Sequence, residues 1–440
     1  MVDVCMYFQV HQPERLRNYQ VFEIGKNHDY FDHKKNSEII KRAAVKCYLP
    51  ANKLMLRLIE KHKGKFKISY SMTGIWIEQI ERECPEVMET FHRLNETGCV
   101  EFLSETYYHS LSYLFSKDEF KEQVEMHKKK IQSLFGQTPK VFRNTELIFN
   151  NEIASYIKNL GYKGILAEGW GHYLGWKSPD FVYNPKTAEG MKLLLRNYKL
   201  SDDIAFRFSN PEWKEYPLSA EKFASWINAI NGNGTNVNLF MDYETFGEHQ
   251  WSTTGIFKFL EKMPEEILKH PDNKFLTPSE VIDKYESRGE IDMHNYVSWA
   301  DLERNLSAWL GNPMQDNSIK ELYALEKSIK ESKDEKLISD WRKLQTSDNF
   351  YYMCTKYFSD GDVHKYFNPY DSPYESFINF MNVLNDIIIR LKSKESKLNK
   401  LDSNENKKED EKRDFSFNSS GKSEVKIKIS ETPSRMMHEN

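Results

Sequence analysis

The chain has 440 residues, of which 39% are hydrophobic and 14% aromatic, and its net charge is −4. Its 62 basic and 66 acidic residues are mixed along the chain, which argues against a nucleic-acid-binding protein, because such proteins carry a basic face. No run of about 18 apolar residues occurs, so we expect no membrane-spanning helix and no membrane partner.

The five cysteines are scattered and form no C-x-x-C pair, so neither a disulfide framework nor a zinc knuckle is predicted. Free thiols suit a reducing compartment. The first residues lack the basic and long apolar regions of a signal peptide. We therefore expect a cytoplasmic protein. Its length is typical of two or three domains, or of one large barrel with an appendage.

Short apolar runs rich in β-branched and aromatic residues alternate with amphipathic segments along residues 1–285. This alternation predicts parallel strands joined by right-handed helical crossovers. Polar residues cluster at the carboxyl ends of many runs, where barrel enzymes carry their chemistry, so we favour a barrel over a doubly wound sheet. The seven predicted strands cover residues 2–10, 66–72, 99–105, 141–149, 164–169, 193–198 and 236–244.

The amphipathic segments between these strands predict helices over residues 38–62, 76–98 and 116–136. Ser116 and Glu119 have the spacing of a capping box at the start of the third helix. Gly136 stands where a helix ends in a left-handed residue.

The strand pattern fades after residue 285. Helical patterns over 299–311, 317–346 and 372–394 predict that residues 286–394 form a helical domain that completes the active-site cleft. In residues 395–440 too few apolar side chains remain to offset chain entropy, so we expect a disordered charged tail.

Carboxylates stand at the ends of two predicted strands. Glu146 ends the fourth strand, and Asp242 and Glu244 end the seventh. Two carboxyl groups whose pKa values differ can together cleave a glycosidic bond. The structural alternative is that Glu146 pairs with Arg143 and that Asp242 caps its strand.

Five stretches resemble, in order, the motifs of glycoside hydrolase family 57, and within it the α-amylase-like branch. They are HQP at 11–13, GCVEFL at 98–103, RNTE at 143–146, MDYETFG at 241–247, and WADLER at 299–304 with LSAWL at 306–310. Each stretch is weak alone, but all five in this order are specific. The resemblance implies an α/β fold, an incomplete (β/α)7 barrel followed by a C-terminal helical bundle.

The resemblance also implies roles for individual residues. By position, Glu146 matches the catalytic nucleophile and Asp242 matches the acid/base. Asn305 departs from the acidic residue expected there, so the substrate preference is not implied. The positions that match substrate-binding residues of the family are His11, Glu101, Glu244 and Asp301.

Other candidates come from the sequence itself. Arg143 lies three residues before Glu146, and a nearby cation lowers the pKa of a carboxylate. Glu105 and His109 follow the third strand and are interpreted either as site residues or as a pair at the barrel rim. Three tryptophans could stack on sugar rings or simply pack in the interior. They are Trp170, Trp251 and Trp299.

We therefore predict a retaining glycoside hydrolase that cleaves α-1,4-glucosidic bonds of starch-like or glycogen-like glucans through a glycosyl-enzyme intermediate, without a metal or another cofactor. The expected partner is an α-glucan or a malto-oligosaccharide. The alternative within the family is a 4-α-glucanotransferase or a branching enzyme. Outside it stand a metal-dependent deacetylase, which would need clustered ligands that the sequence lacks, and an inactive glucan-binding protein.

Overall fold

All seven predicted strands are present in the computed structural model, which describes residues 2–356 and 368–394. Three shorter strands add to them. The strands are β1 (Asp3–Val10), β2 (Ile68–Met72), β3 (Val100–Phe102), β4 (Val141–Arg143), β5 (Gly164–Glu168), β6 (Asn184–Pro185), β7 (Lys192–Arg196), β8 (Asn236–Asp242), β9 (Lys274–Phe275) and β10 (Glu290–Ile291).

The strands form parallel sheets. In the largest sheet the order is β3–β2–β1–β8, and β9 also pairs with β1. A three-stranded sheet has the order β4–β5–β7, and β6 pairs with β10. Hydrogen bonds also join the two larger sheets. Ser104, which follows β3, pairs with Phe142 of β4. The amide of Asn197, which follows β7, donates to the carbonyl of Asn238 of β8 at 2.9 Å.

Helices connect these strands and follow them. They are α1 (His33–Ala43), α2 (Leu49–Lys61), α3 (Gly74–Glu83), α4 (Pro85–Glu96), α5 (Lys117–Phe135), α6 (Asn151–Asn159), α7 (Gly171–Leu174), α8 (Tyr198–Ala205), α9 (Ala220–Asn228), α10 (Ile256–Leu268), α11 (Pro278–Lys284), α12 (Pro313–Ala324), α13 (Glu326–Glu331), α14 (Glu335–Leu344) and α15 (Ser347–Tyr351). Residues 373–394 are also helical. In the described residues, no helix combines the length and the apolar character needed to cross a membrane.

Two of the predicted helices are interrupted. Residues 76–98 form α3 and α4, which separate at Cys84 because the residue before a proline disfavours helical backbone. Residues 38–62 contain a π-helical turn, Ala44–Tyr48, between α1 and α2. The third helix is confirmed as α5, which is capped by the Ser116 side chain and ends at Gly136 with φ +69°. The predicted capping box is incomplete, because the amide of Ser116 donates to the carbonyl of Ser112 at 2.8 Å and not to Glu119.

The prediction of a helix over 299–311 is wrong. Asp301 and Arg304 have φ values of +57° and +47°, in the left-handed region that a right-handed helix cannot contain. Residues 317–346 are helical but fall into α12, α13 and α14. The predicted tail, 395–440, lies outside the described residues.

Side chains of β1 alternate between two apolar layers, as the period of a strand requires. Val4, Met6 and Phe8 enter the layer beneath the helices. Cys5 and Tyr7 enter the opposite layer. The second layer draws on both larger sheets, and it contains Val141, Leu166, Leu194 and Phe240.

The chain divides into two compact units, Met1–Ile388 and Ile389–Asn440. The first unit contains residues on both sides of the predicted domain boundary at residue 285. Parallel strands and helices together make this an α/β fold.

Candidate functional site

Glu146 lies immediately after β4, in the short turn Thr145–Leu147. Its φ is +57° and that of Leu147 is +52°. Left-handed backbone at residues other than glycine costs about 1–3 kcal/mol and collects at functional sites. The side chain of Glu146 is 19% exposed, so its carboxylate remains open to a substrate.

Three donors surround the carboxylate of Glu146. The Nε2 atom of His109 lies 3.1 Å from Oε1, and the Trp299 indole donates to Oε2 at 2.7 Å. The Ser347 hydroxyl donates to Oε1 at 3.4 Å. The other ring nitrogen of His109 lies 3.4 Å from Glu105, so this imidazole bridges two carboxylates.

These contacts favour the charged forms of both partners. Burial opposes charge on His109, but its hydrogen bonds to Glu105 and Glu146 raise its pKa to about 9. Burial also opposes charge on Glu146. The hydrogen bond and charge of His109, together with the charge of Arg143, nevertheless hold the pKa of Glu146 below its usual range. The result is an ionised carboxylate beside an imidazolium.

Asp242 is the last residue of β8, and it pairs in register with Gln9 of β1. Burial, and next the negative charge of Glu146, raise the pKa of Asp242 to about 6. Contacts link the two carboxyl groups into one cluster: Gln9, the register partner of Asp242, donates to Glu105, and His109 bridges Glu105 and Glu146. Between the lowered pKa of Glu146 and about pH 6, the first is ionised and the second is protonated.

Glu244 lies two residues after Asp242 and is buried. Burial and the charge of Asp242 raise the pKa of Glu244 to about 8, so this carboxyl group is neutral in the same pH range. Its Oε1 accepts a hydrogen bond of 2.5 Å from the hydroxyl of Tyr48, which ends the π-helical turn.

His11 joins the cluster from the end of β1. Its ring nitrogens lie 2.8 Å from Thr73 Oγ1 and 3.0 Å from Asp348 Oδ2. Its ring stacks on His109 with centroids 4.0 Å apart and an interplanar angle of 23°. Burial, and next the charge of His109, hold the pKa of His11 below its usual value.

His11, His109 and Asp348 offer ligand atoms within 4.8 Å of one another, a spacing at which three side chains can hold a metal ion. The lone pair of an imidazole nitrogen lies in the ring plane. Two nearly parallel rings 4.0 Å apart cannot both aim a lone pair at one ion about 2.0–2.1 Å away. The donor geometry therefore does not fit a metal.

Arg143 ends β4 and is fully buried. Its guanidinium nitrogens have no hydrogen-bond partner among the described residues. The guanidinium lies 3.9 Å from a carboxylate oxygen of Glu105 and packs 4.8 Å from the ring centroid of Trp299. Arg143 therefore acts on the site through its charge, which lowers the pKa of both Glu146 and Asp242.

Three predicted site residues have other partners, and a fourth, Trp251, is largely exposed. The carboxylate of Glu101 accepts from the amide of Ser279 at 2.8 Å, at the start of α11. Asp301 pairs with Lys356 at 3.4 Å. Their substrate-binding roles stay predictions, as do those of two aromatic residues. Trp170 contacts the rings of His172 and Tyr173, and Trp251 is 61% exposed.

The predicted residue set omitted several members of the cluster. Gln9 donates to Glu105 at 3.1 Å, and its place at the end of β1 is a signal that could have identified it. Ser347 and Asp348 begin α15, and Ser347 lies 201 residues after its partner Glu146. No motif marks these two residues, so only the folded chain reveals them.

Known proteins resemble this chain in sequence and in fold. The model of the family described as glycosyl hydrolase family 57 matches residues 5–294. A protein of Methanocaldococcus jannaschii named "Putative alpha-amylase" is 45% identical over 425 residues, which cover 93% of this chain and 89% of that protein.

Two solved structures share the fold. A 4-alpha-glucanotransferase from Thermococcus litoralis has a TM-score of 0.61 at 15% identity, with 79% of this chain and 56% of that chain covered. A branching enzyme from Pyrococcus horikoshii has a TM-score of 0.61 at 16% identity, with 83% and 87% covered. The chain belongs to glycosyl hydrolase family 57, and the prediction of a glycosidase is confirmed.

Proposed function

We propose that this protein is a retaining α-amylase-like enzyme that cleaves α-1,4-glucosidic bonds of starch-like or glycogen-like glucans. Glu146 is the nucleophile and Asp242 is the acid/base. The observation that carries the proposal is that the pKa values of two interacting carboxyl groups are shifted in opposite directions. The pKa of Glu146 lies below its usual range, and that of Asp242 is raised to about 6.

In the first step Asp242 donates its proton to the glycosidic oxygen, and the C–O bond to the leaving sugar breaks. The carboxylate of Glu146 forms an ester with the anomeric carbon from the opposite face. In the second step Asp242 takes a proton from water, and the oxygen of that water displaces Glu146. Both steps invert the anomeric carbon, so the product retains its configuration.

The donors around Glu146 support this cycle. The Glu146 carboxylate is stabilised before attack by hydrogen bonds from His109, Trp299 and Ser347. The same hydrogen bonds stabilise it when it departs as the leaving group of the second step. Fixed donors of this kind act where charge is restored in the transition state. His11 and Glu244, which adjoin the two catalytic groups, are the residues we assign to sugar hydroxyls near the cleaved bond.

The family contains both hydrolases and transferases, and the chemistry is shared up to the ester. We favour hydrolysis because the relative with 45% identity over most of both chains carries the name "Putative alpha-amylase". The transferase and branching-enzyme neighbours are only 15% and 16% identical.

We further propose that the seven longer strands close into the incomplete barrel. Two observations support closure: hydrogen bonds join the larger sheets next to both pairs of edge strands, and one apolar layer draws side chains from both sheets. Residues 286–394 would then form the helical domain at its rim, since they supply Trp299 and Ser347 to Glu146. A cytoplasmic location suits the five cysteines, all of which are buried.

Product analysis on maltoheptaose tests the proposal. The wild-type chain is expected to yield only shorter sugars, whereas a transferase would also yield longer ones. Glu146→Gln is expected to lower kcat about 10⁴-fold. Unchanged turnover in that variant would remove the enzyme assignment, and longer products would replace hydrolysis with transfer.

A further inference from the structure

Trp299 reaches Glu146 from an irregular loop, residues 298–305. Its indole donates to Oε2 at 2.7 Å, and its amide donates to the carbonyl of Glu146 at 3.2 Å. The amide of Ser298 donates to the carbonyl of Arg304 at 3.0 Å, and the Ser298 hydroxyl donates to that of Asn305 at 2.8 Å. The two ends of the loop are thus tied together, and Trp299 lies beside this closure.

The side chain of Arg304 fastens this loop to the strands. Its guanidinium donates to Glu168 at 2.6 Å, and Glu168 is a fully buried carboxylate at the end of β5. The guanidinium also lies 3.8 Å from Asp202 and 4.5 Å from the ring centroid of Tyr198, both on α8. A planar guanidinium offers several donors in a fixed geometry, which suits an anchor better than a flexible ammonium does.

The backbone of Arg304 has a conformation that residues other than glycine rarely adopt. Its φ of +47° lies in the left-handed region, which a residue with a Cβ atom adopts only when surrounding contacts impose it. The ion pairs of its side chain supply such contacts. Glu168 also receives a hydrogen bond of 3.1 Å from Arg196, whose guanidinium faces the ring of Trp299 at 5.7 Å. Arg304 and Trp299 are therefore linked through the ion pair of Glu168 with Arg196.

We propose that Arg304 is a positioning residue: by anchoring the 298–305 loop to Glu168, it holds the indole of Trp299 on the nucleophile Glu146. The inference rests on the proposed function, because it matters only where Glu146 attacks sugar. The side chain of Arg304 contacts Glu168, Asp202 and Tyr198, none of which reacts with the substrate in the proposed mechanism. It acts through the direction of one hydrogen bond.

A misplaced donor affects turnover more than binding. The Trp299 hydrogen bond helps to keep Glu146 ionised, so a loosened loop raises the pKa of Glu146. Arg304→Met is expected to lower kcat about 10- to 100-fold, with KM changed much less. The acidic limb of its kcat/KM profile is expected to move to higher pH.

Arg207→Met provides a matched control. Arg207 also pairs with an aspartate, Asp203 at 2.6 Å, and also faces an aromatic ring, that of Trp213 at 5.9 Å. It holds no part of the 298–305 loop. Its variant is expected to keep the wild-type kcat and pH profile, and a loss equal to that of Arg304→Met would overturn the proposal.

A double-mutant cycle separates positioning from general damage. In a Trp299→Phe background the hydrogen bond is already gone, so adding Arg304→Met is expected to change kcat by no more than about twofold. If Arg304→Met lowers kcat by the same factor in both backgrounds, the proposal is wrong. Arg304→Lys serves the same cycle if the methionine variant does not fold.

The proposed function and this inference fail differently. An active Glu146→Gln variant would remove the proposed function whatever Arg304 does. An inactive Glu146→Gln variant combined with a fully active Arg304→Met variant would leave the proposed function intact and overturn the inference alone.

Discussion

The surroundings of Glu146 and Asp242 differ in what they stabilise. Glu146 is held by donors, and two of these, Trp299 and Ser347, come from the chain beyond residue 286. Burial favours the neutral form of Asp242. The charge of Asp242 in turn disfavours ionisation of a second carboxyl group, Glu244. One neighbourhood favours the anion and the other favours the neutral acid. In the proposed mechanism, a nucleophile and a proton donor thus arise from similar side chains through their surroundings.

The largest expected effect separates these two roles by leaving group. Asp242→Asn is expected to lower the rate of bond cleavage in maltoheptaose about 10³-fold, because the departing sugar then lacks its proton. With a nitrophenyl malto-oligosaccharide, whose leaving group needs no proton, the pre-steady-state release of nitrophenol is expected to fall less than about tenfold.

Glu146→Gln is the control for that experiment. It is expected to abolish nitrophenol release, since the nucleophile is needed for either leaving group. Fast release in Glu146→Gln together with slow release in Asp242→Asn would reverse the assigned roles.

The second prediction tests the support that reaches Glu146 from the later helices. Glu119 on α5 is fully buried and binds Arg342 of α14 at 2.9 Å and Lys330 of α13 at 2.9 Å. Removing the charge of Glu119 takes away the one fully buried anion that these two cations share and leaves them with more exposed partners. Glu119→Gln is expected to lower the free energy of unfolding by about 3 kcal/mol, measured by urea denaturation at pH 7.

Glu122 is a matched control on the same helix, because it pairs with the same two cations but its side chain is 48% exposed. Glu122→Gln is expected to lower the free energy of unfolding by less than about 1 kcal/mol. Equal losses in the two variants would mean that burial of Glu119 does not set the strength of this connection.

The third prediction concerns His109, whose positive charge acts on both Glu146 and Asp242. His109 lowers the pKa of Glu146 and also that of Asp242. His109→Gln is therefore expected to raise both, and to lower kcat/KM about 10²-fold. The acidic limb moves up because Glu146 must be ionised, and the basic limb moves up because Asp242 must be protonated.

The pH dependence of kcat/KM measures both shifts. The wild-type basic limb is expected near pH 6, where Asp242 loses its proton. His92→Gln, which changes a histidine on α4, is expected to leave both limbs in place. An acidic limb that stays fixed or moves down in His109→Gln would contradict the proposed charge of His109.

The sequence identified the Asp242 neighbourhood better than that of Glu146. Strand periodicity located all seven longer strands, and the rule that polar groups follow parallel strands correctly brought Asp242, Glu244 and His11 to one end of the sheet. Glu101, which the family resemblance supplied, lies within β3, and its carboxylate accepts from the amide of Ser279 on α11. Its substrate-binding role stays a prediction. Periodicity gives a face of a strand but not the end towards which a long side chain extends.

The partners of Glu146 were harder to predict because they depend on irregular backbone. The 298–305 loop resembles a helix in its polar and apolar spacing, yet two left-handed residues break it and turn Trp299 towards the site. Ser347 and Asp348 lie on a five-residue helix without a motif. Tyr48 presents a similar case, because a π-helical turn shifts the helix face by one residue, and no sequence pattern marked that insertion.

The smallest expected effect tests that Tyr48 contact. Its hydroxyl lowers the pKa of Glu244, so it stabilises the ionised carboxylate more than the neutral acid. Tyr48→Phe is expected to lower the free energy of unfolding by about 1 kcal/mol at pH 6, where Glu244 is protonated. The loss grows as pH rises through about 8, because there the variant must hold an ionised Glu244 without its donor.

Urea denaturation at pH 6 and pH 9 measures this difference. Tyr70→Phe is the control, because Tyr70 is equally buried and donates to a neutral partner, the hydroxyl of Tyr243, at 3.2 Å. Its loss is expected to be the same at both pH values. If Tyr48→Phe also shows no change between them, Glu244 does not ionise in this range. Glu244 would then keep one charge state from pH 6 to pH 9, and burial together with the charge of Asp242 would not hold its pKa at about 8.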